Sequence, residues 1–279
     1  MKHNRVTSFI KTPVYLVKEY FHRRPYHDYQ CDFVRGEKKS LAATHVETLR
    51  QEGIVILPAY FKPAKMDEFR AAFEKATRDR PNKYTPDSFY NDDIMHVDPA
   101  LMDAALDDFL LEIIGTYFQR PFGLALAAAT RLLPTPPIRH SSYRWHHDAR
   151  GKQMNLMVFL SDVTAKGQRM SYLRRSHNRY YSHYRGITNP LFDNDVFSST
   201  ELHERIIECI GPSGTVAMFD SNGLHSGNRN DVEGRDTLNI NYVSYRHFKK
   251  VSCRRRDLLA LSAKKREVMT FNPRLEQLE

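Results

Sequence analysis

Apolar positions in the first half of the chain recur at helical spacing, whereas in the second half they alternate. THVETLRQEG reads as a helix that ends at Gly53, with the apolar run IVILP behind it. A second helix is expected over AKMDEFRAAFEKA. After a loop at 81–98, PALMDAALDDFLLEIIGTYF reads as one strongly periodic helix. Its Leu101, Ala104, Ala105, Phe109 and Ile113 lie on overlapping apolar rows. From about residue 121 the texture becomes that of strands: GLALAAATRLL, SSYRWHH, NLMVFLSDV, MSYLRR, GTVAMFDS and TLNINYVSY, divided by Pro, Gly, Asn and Asp turns. The tail, RRRDLLALSAKKREV, reads as one more basic helix. Helices first and strands afterwards predict an α+β protein whose β part is a sandwich or barrel.

The ends of the chain differ from its middle. Residues 1–40 are basic, 41–250 carry the patterned domain, and 251–279 form a basic helix and tail. Thr12-Pro13 is an N-cap and first-turn pair, followed by Val14, Val17 and Phe21 at helical spacing and flanked by Lys11, Lys18, His22, Arg23 and Arg24. Such a segment either lies on an anionic membrane surface or packs on its own domain, and both readings stand.

Composition narrows the class. With 279 residues, 41% hydrophobic and 27% charged, the chain has the balance of a soluble globular protein. No apolar stretch approaches the ~20 residues that span a bilayer, and the N-terminus lacks the apolar core of a signal peptide. Three cysteines, Cys31, Cys209 and Cys253, are widely spaced and odd in number, which predicts free thiols and a cytoplasmic setting. A net charge of +9 favours an anionic partner, or else a basic surface with no specific partner.

Candidate metal chemistry comes from a histidine, one spacer and an aspartate, which on a strand share one face. The pattern occurs twice. His96-Val97-Asp98 runs into Pro99, so Asp98 is better read as an N-cap with Pro99 at the first helical position. His146-His147-Asp148 lies on a predicted strand, with His146 and Asp148 projecting together and His147 structural. A third ligand is His225, expected in the turn just beyond GTVAMFDS. Ten residues later Arg235 opens RDTLNINYV. Two histidines and one carboxylate with positions left open make the facial triad of non-haem Fe(II) oxygenases. An arginine in the same cavity can hold a carboxylate bidentately. His177 is expected to bond within its own turn. His183, with Tyr180, Tyr181 and Tyr184, either faces substrate or packs.

The order HHD, LMVFLSDVTAKGQRMSYLRRSH and GTVAMFDSNGLHSGNRNDVEGRDTLNINY resembles the phytanoyl-CoA dioxygenase family over roughly residues 44–246. HVETLRQEGIVILPAYF is similar to that family's entry. The resemblance implies an Fe(II)- and 2-oxoglutarate-dependent dioxygenase on a double-stranded β-helix, or jelly roll, with flanking N-terminal helices. It makes His146, Asp148 and His225 the iron ligands and Arg235 the partner of the distal 2-oxoglutarate carboxylate. It further implies that Asn155 lies near the co-substrate, that Tyr143 lines the pocket and that Thr237 adds a hydroxyl to the carboxylate site. The chain departs from the family at Gly167-Gln168-Arg169 and Arg174-Arg175-Ser176-His177, segments expected to flank the mouth of the site. With Asp148 present, dioxygen chemistry ending in hydroxylation is implied rather than halogenation.

Basic segments RGKQ, RRSHNRYYSHYR and RHFKKVSCRRR surround the motifs and favour an anionic small molecule or glycolipid as substrate. The acidic Kdo sugar of lipopolysaccharide fits, reached by peripheral contact with the inner face of a membrane. An acyl-CoA or another small metabolite is the alternative. A non-redox jelly-roll module that binds an anionic ligand is the competing class, since the same residues hold several divalent metals. Nucleic acid ranks below these partners.

Overall fold

A glycine in the left-handed region stops the first helix where the sequence pattern ends it. The computed structural model describes residues 29–78, 88–134, 145–148, 153–177, 203–227, 232–245 and 247–279. Helix α1 (Glu37–Glu52) begins earlier than expected, and Gly53, at φ 82°, donates its N–H to the Leu49 carbonyl. Strand β1 (Ile54–Leu57) follows, then α2 (Pro63–Arg78). The segment at 12–24 and Tyr143 lie outside the described residues.

The expected loop before residue 98 holds a short strand, β2 (Ser88–Asn91). Asp98 caps α3 (Pro99–Ala105) as expected, its side chain accepting from the Ala100 N–H. The long periodic helix, however, is two helices. Asp107 interrupts it by capping α4 (Asp108–Phe118), accepting from the N–H groups of Phe109 and Leu110 at 3.0 Å each. The Tyr60 hydroxyl donates to the same carboxylate at 2.6 Å. Both helices bury apolar residues against one core, so periodicity alone hides the break.

Six strands build the larger sheet: β1, β2, β3 (Gly123–Leu132), β4 (Gln153–Phe159), β7 (Val216–Asp220) and β9 (Arg235–Val243). Their spatial order is β1-β7-β4-β9-β3-β2, with all paired neighbours antiparallel. A second sheet has the order β6 (Ile206–Cys209), β5 (Met170–Leu173), β8 (His225–Gly227). The two sheets pack face to face: Met157, Phe159, Ala217 and Phe219 of the larger share a buried cluster with Met170, Tyr172 and Cys209 of the smaller. The architecture is an α+β double-stranded β-helix with helices on its outer face.

Period-two alternation explains the two faces of β9. Leu238, Ile240 and Tyr242 point outward into a core shared with Leu49 of α1, Phe69 and Phe73 of α2 and Ile113 of α4. Arg131 of β3 ties α2 to this face. It pairs with Asp236 through two bonds of 2.9 and 2.8 Å, reaches Glu74 and lies over the Phe73 ring.

The tail is not one helix. It forms β10 (Val251–Arg254), α5 (Arg255–Ala260), α6 (Ala263–Thr270) and β11 (Leu275–Leu278), with β10 and β11 parallel. Ser262 caps α6 and marks the division. Val251, Cys253, Leu258, Val268 and Met269 join the helix-side core, and the Asn272 amide donates to the carbonyls of Leu124 and Lys249. All three cysteines are buried free thiols. Among the described residues no helix is long and apolar enough to cross a membrane.

Asp107→Ala removes a helix cap and the acceptor of the Tyr60 hydroxyl together. We expect a loss of about 2 kcal/mol, roughly 1 from each contact, read as a lower denaturant midpoint with the slope unchanged. A loss below about 0.5 kcal/mol, the scale of an ordinary surface substitution, would show that Asp107 does not hold the helix break.

Candidate metal centre

The site is set by backbone before any side chain acts. His146 and His225 exchange two hydrogen bonds, N–H to carbonyl at 2.9 and 2.8 Å, as an antiparallel bridge that extends the smaller sheet beyond β8. Residues directly opposite in such a pair project to the same side. Their rings accordingly lie 4.3 Å apart between centroids. Asp148 follows two residues on, its N–H bonded to the Ser221 carbonyl at 3.0 Å. One ligand atom from each of His146, Asp148 and His225 falls within 4.8 Å of the others. The expected grouping is therefore present. His225 differs from expectation in opening β8 rather than standing in a turn.

The donor set suits a divalent cation. Asp148 Oδ1 stands 3.8 Å from His225 Nε2, and donor atoms ~2 Å from a common ion lie roughly 3–4 Å from each other. His225 Nδ1 lies 2.9 Å from the Gly223 carbonyl, which takes its proton and leaves the Nε2 lone pair for a ligand. Burial pushes the His225 imidazolium down to about 4, with Asp148 pulling upward and His146 downward. The ring is thus neutral near pH 7, the form that coordinates a metal.

A web of contacts around Asp220 shapes the turn that delivers His225. Asp220 accepts from the Tyr117 hydroxyl of α4 at 2.7 Å and from the backbone and side-chain amides of Asn222 at 2.9 and 2.8 Å. Its N–H reaches the Gly53 carbonyl, and its own carbonyl accepts from the Tyr172 hydroxyl at 2.9 Å. Tyr172 leaves no room beneath the turn. A Cβ on Gly223 would come within 1.9 Å of its hydroxyl oxygen, and one on Gly53 within 2.5 Å.

The inner face of the larger sheet is divided. Toward β1 and β7 it is apolar, with Ile54, Ala217, Phe219, Met157 and Phe159. Toward β9 and β3 it is polar. Arg235, Thr237, Asn239 and Asn241 share the inward side of β9, Asn241 standing opposite Asn155 and Thr237 opposite Thr130. Asn239 Nδ2 donates to the hydroxyl oxygens of Thr130 and Thr237 at 2.8 and 3.3 Å. Arg235 is buried and faces the space between the sheets. Burial pushes the Cys209 thiol of β6 up to about 12, and the Arg235 charge draws it partly back. The amide of Asn155 donates to Asp148 Oδ2 at 3.1 Å, which makes it a neighbour of the candidate ligand itself.

The other histidines sort out on contacts. His147 is buried, its Nδ1 2.6 Å from the Asp148 carbonyl, a structural role as expected. His177 reaches beyond its own turn, to the Arg50 carbonyl at the end of α1, at 3.2 Å. His96 lies 3.9 Å from Asp93, away from the ligand cluster. His183 and its neighbouring tyrosines lie outside the described residues. The two departing segments occupy opposite ends of β5: residues 174–177 follow Leu173 beside Leu224, while Gly167 precedes the strand and bridges to Glu233.

Sequence reasoning missed Gln153, Asn239, Thr130, Asp220, Tyr172 and Gly223. A signal existed for Asn239, because TLNINY within RDTLNINYV alternates polar and apolar residues. For Tyr172 and Gly223 the constraint is a contact across 51 residues of chain, and no local pattern carries it.

No family model matches the sequence, and no curated protein matches it either. Solved structures do resemble it. HygX from Streptomyces hygroscopicus, with nickel, 2-oxoglutarate and hygromycin B bound, aligns at TM-score 0.56 and 16% identity, over 80% of this chain and 93% of that one. The non-haem α-ketoglutarate-dependent carbocyclase SnoK of nogalamycin biosynthesis gives 0.55 and 18%, over 75% and 86%. The epimerase SnoN, of the same dependence and pathway, gives 0.54 and 14%, over 74% and 81%. At this identity the likeness establishes the shared fold.

Gly223→Ala tests the coupling between the turn and the ligand. The added methyl group forces Tyr172 or the turn to shift, and His225 with it. We expect Co(II) affinity to fall about 10-fold or more, as for loss of an outer partner of a metal ligand, measured by titration of the apo-protein. Unchanged affinity would show that the turn absorbs the methyl group without moving His225.

Proposed function

We propose that this chain is an Fe(II)- and 2-oxoglutarate-dependent oxygenase of the phytanoyl-CoA dioxygenase kind, hydroxylating a C–H bond of an anionic small molecule. The observation that carries this reading is the His146, Asp148, His225 cluster, two imidazoles and a carboxylate with donor atoms within 4.8 Å. Solved structures that share its fold include enzymes described as α-ketoglutarate-dependent, which adds to the reading. When bound, iron with 2-oxoglutarate and dioxygen supplies the oxidation, giving succinate, carbon dioxide and a hydroxylated product.

The chain's own residues bind and orient. His146 and His225 hold the metal through ring nitrogens and Asp148 through a carboxylate oxygen. Arg235, buried between the sheets, takes the distal carboxylate of 2-oxoglutarate, where a charge-assisted pair is strong. Thr237 stands two residues further along the same face. Its oxygen already accepts from Asn239, so its own proton is available to that carboxylate. Tyr143 completes the pocket by the family resemblance.

For the substrate, the reading is an anionic sugar or glycolipid headgroup such as Kdo. Its support is charge beside the His225 corner. Arg174, Arg175 and Arg205 all act on the single carboxylate Glu52, whose neighbour Gly53 holds Asp220. Three guanidinium groups on one carboxylate leave net positive charge there.

Anaerobic protein with Fe(II) and 2-oxoglutarate should develop a weak visible charge-transfer band, absent in His225→Ala. Arg235→Ala should raise the 2-oxoglutarate dissociation constant at least about 30-fold, the equivalent of ~2 kcal/mol for breaking a buried charge pair. Iron uptake without the band would overturn the co-substrate assignment. Membrane contact has its own test. Deleting residues 1–30 should abolish retention on anionic liposomes, and retention equal to that of the full chain would rule out that segment as the anchor.

A further inference from the structure

Asp148 is partly open, with a third of its side chain exposed to solvent where His225 is buried. A carboxylate in that position is able to bind a cation through one oxygen or through both. Its two oxygens are in different surroundings. Oδ1 faces His225 Nε2 at 3.8 Å, whereas Oδ2 accepts from Asn155 Nδ2 at 3.1 Å. The Asn155 side chain is held in turn, because its Oδ1 accepts from Gln153 Nε2 at 3.2 Å. Gln153 and Asn155 sit at alternate positions of β4 and share its inner face. The backbone at Asn155 is held on both sides, paired with Phe219 of β7 and with Asn241 of β9.

We propose that Asn155, braced by Gln153, is a positioning residue that keeps Asp148 a one-oxygen ligand of the divalent metal, a role that rests on the metal reading above. The amide proton occupies Oδ2 and turns Oδ1 toward the histidines. Binding through both oxygens would compete with this bond for Oδ2 and would fill a coordination position that a chelating co-substrate needs. The resemblance implied a place for Asn155 beside 2-oxoglutarate. Its contact here is with the ligand carboxylate, so its removal acts on the metal before any co-substrate is added.

Co(II) binding to the apo-protein, without co-substrate, reads this directly. Asn155→Leu has nearly the same volume and no donor. We expect its Co(II) dissociation constant to rise 10-fold or more, within the ~10–100-fold range for loss of an outer-shell partner. The visible ligand-field spectrum of the bound Co(II) should change as the carboxylate swings. Gln153→Leu should shift both readouts in the same direction by less, and it carries the test if Asn155→Leu does not fold. A merely structural role would lower thermal stability while leaving the spectrum of the bound ion as in the wild type. Wild-type affinity and spectrum in Asn155→Leu, or in Gln153→Leu where only that variant folds, overturns the inference and leaves the metal reading standing. Wild-type protein that takes up no Co(II) overturns the metal reading and the inference with it.

Discussion

Two backbone hydrogen bonds between His146 and His225 decide where everything else in the site must be. They join a short segment to the edge of the smaller sheet and bring together residues 79 positions apart. Because the pair is antiparallel and in register, both imidazoles emerge on the same side, and Asp148 returns to that side two residues later. A slip of one residue would turn His225 away from His146 and Asp148. The arrangement therefore depends on register, and register depends on the turn that precedes β8.

That turn is fixed from the helical layer. Asp220 receives the Tyr117 hydroxyl from α4 and bonds through its N–H to Gly53, at the end of α1. Tyr172 fills the space under Gly223 and closes the corner from the smaller sheet. Helix packing on one side of the larger sheet is thus linked to ligand geometry on the other through one carboxylate and one ring. The long hydrophobic helices do more than bury apolar area. They hold the corner that places His225 at the start of β8.

The sequence disclosed chemistry more readily than architecture. His146, Asp148 and His225 were legible because a spacer of one on a strand leaves little freedom, and because Pro99 explained the competing pair at 96–98. The larger sheet was legible wherever strands were long and apolar on at least one face, as in β3, β4, β7 and β9. SFYN and IIEC were not, since four residues of mixed polarity gain strand conformation only from the neighbour they pair with. The same limit hid the break at Asp107. Helices α3 and α4 present apolar faces to one core, so the period continues while the backbone stops. Asp107 looks like any helical aspartate until Tyr60 is seen to donate to it.

The divided inner face connects the fold to its use. A sandwich core is most stable when both inner faces are apolar, and polar groups placed there cost free energy unless they are bonded. The half of the sheet near β1 and β7 follows that rule. The half near β9 and β3 does not, yet its amides and hydroxyls are matched among themselves, Asn239 to Thr130 and Thr237, Gln153 to Asn155, Asn155 to Asp148. Matching of this kind fixes the direction of each remaining donor before a ligand arrives, so little reorientation is left for binding. Stability alone would favour leucine or valine at these positions. Their presence beside the His146, Asp148, His225 cluster gives the sheet a polar half facing the space between the sheets and an apolar half that holds the two sheets together.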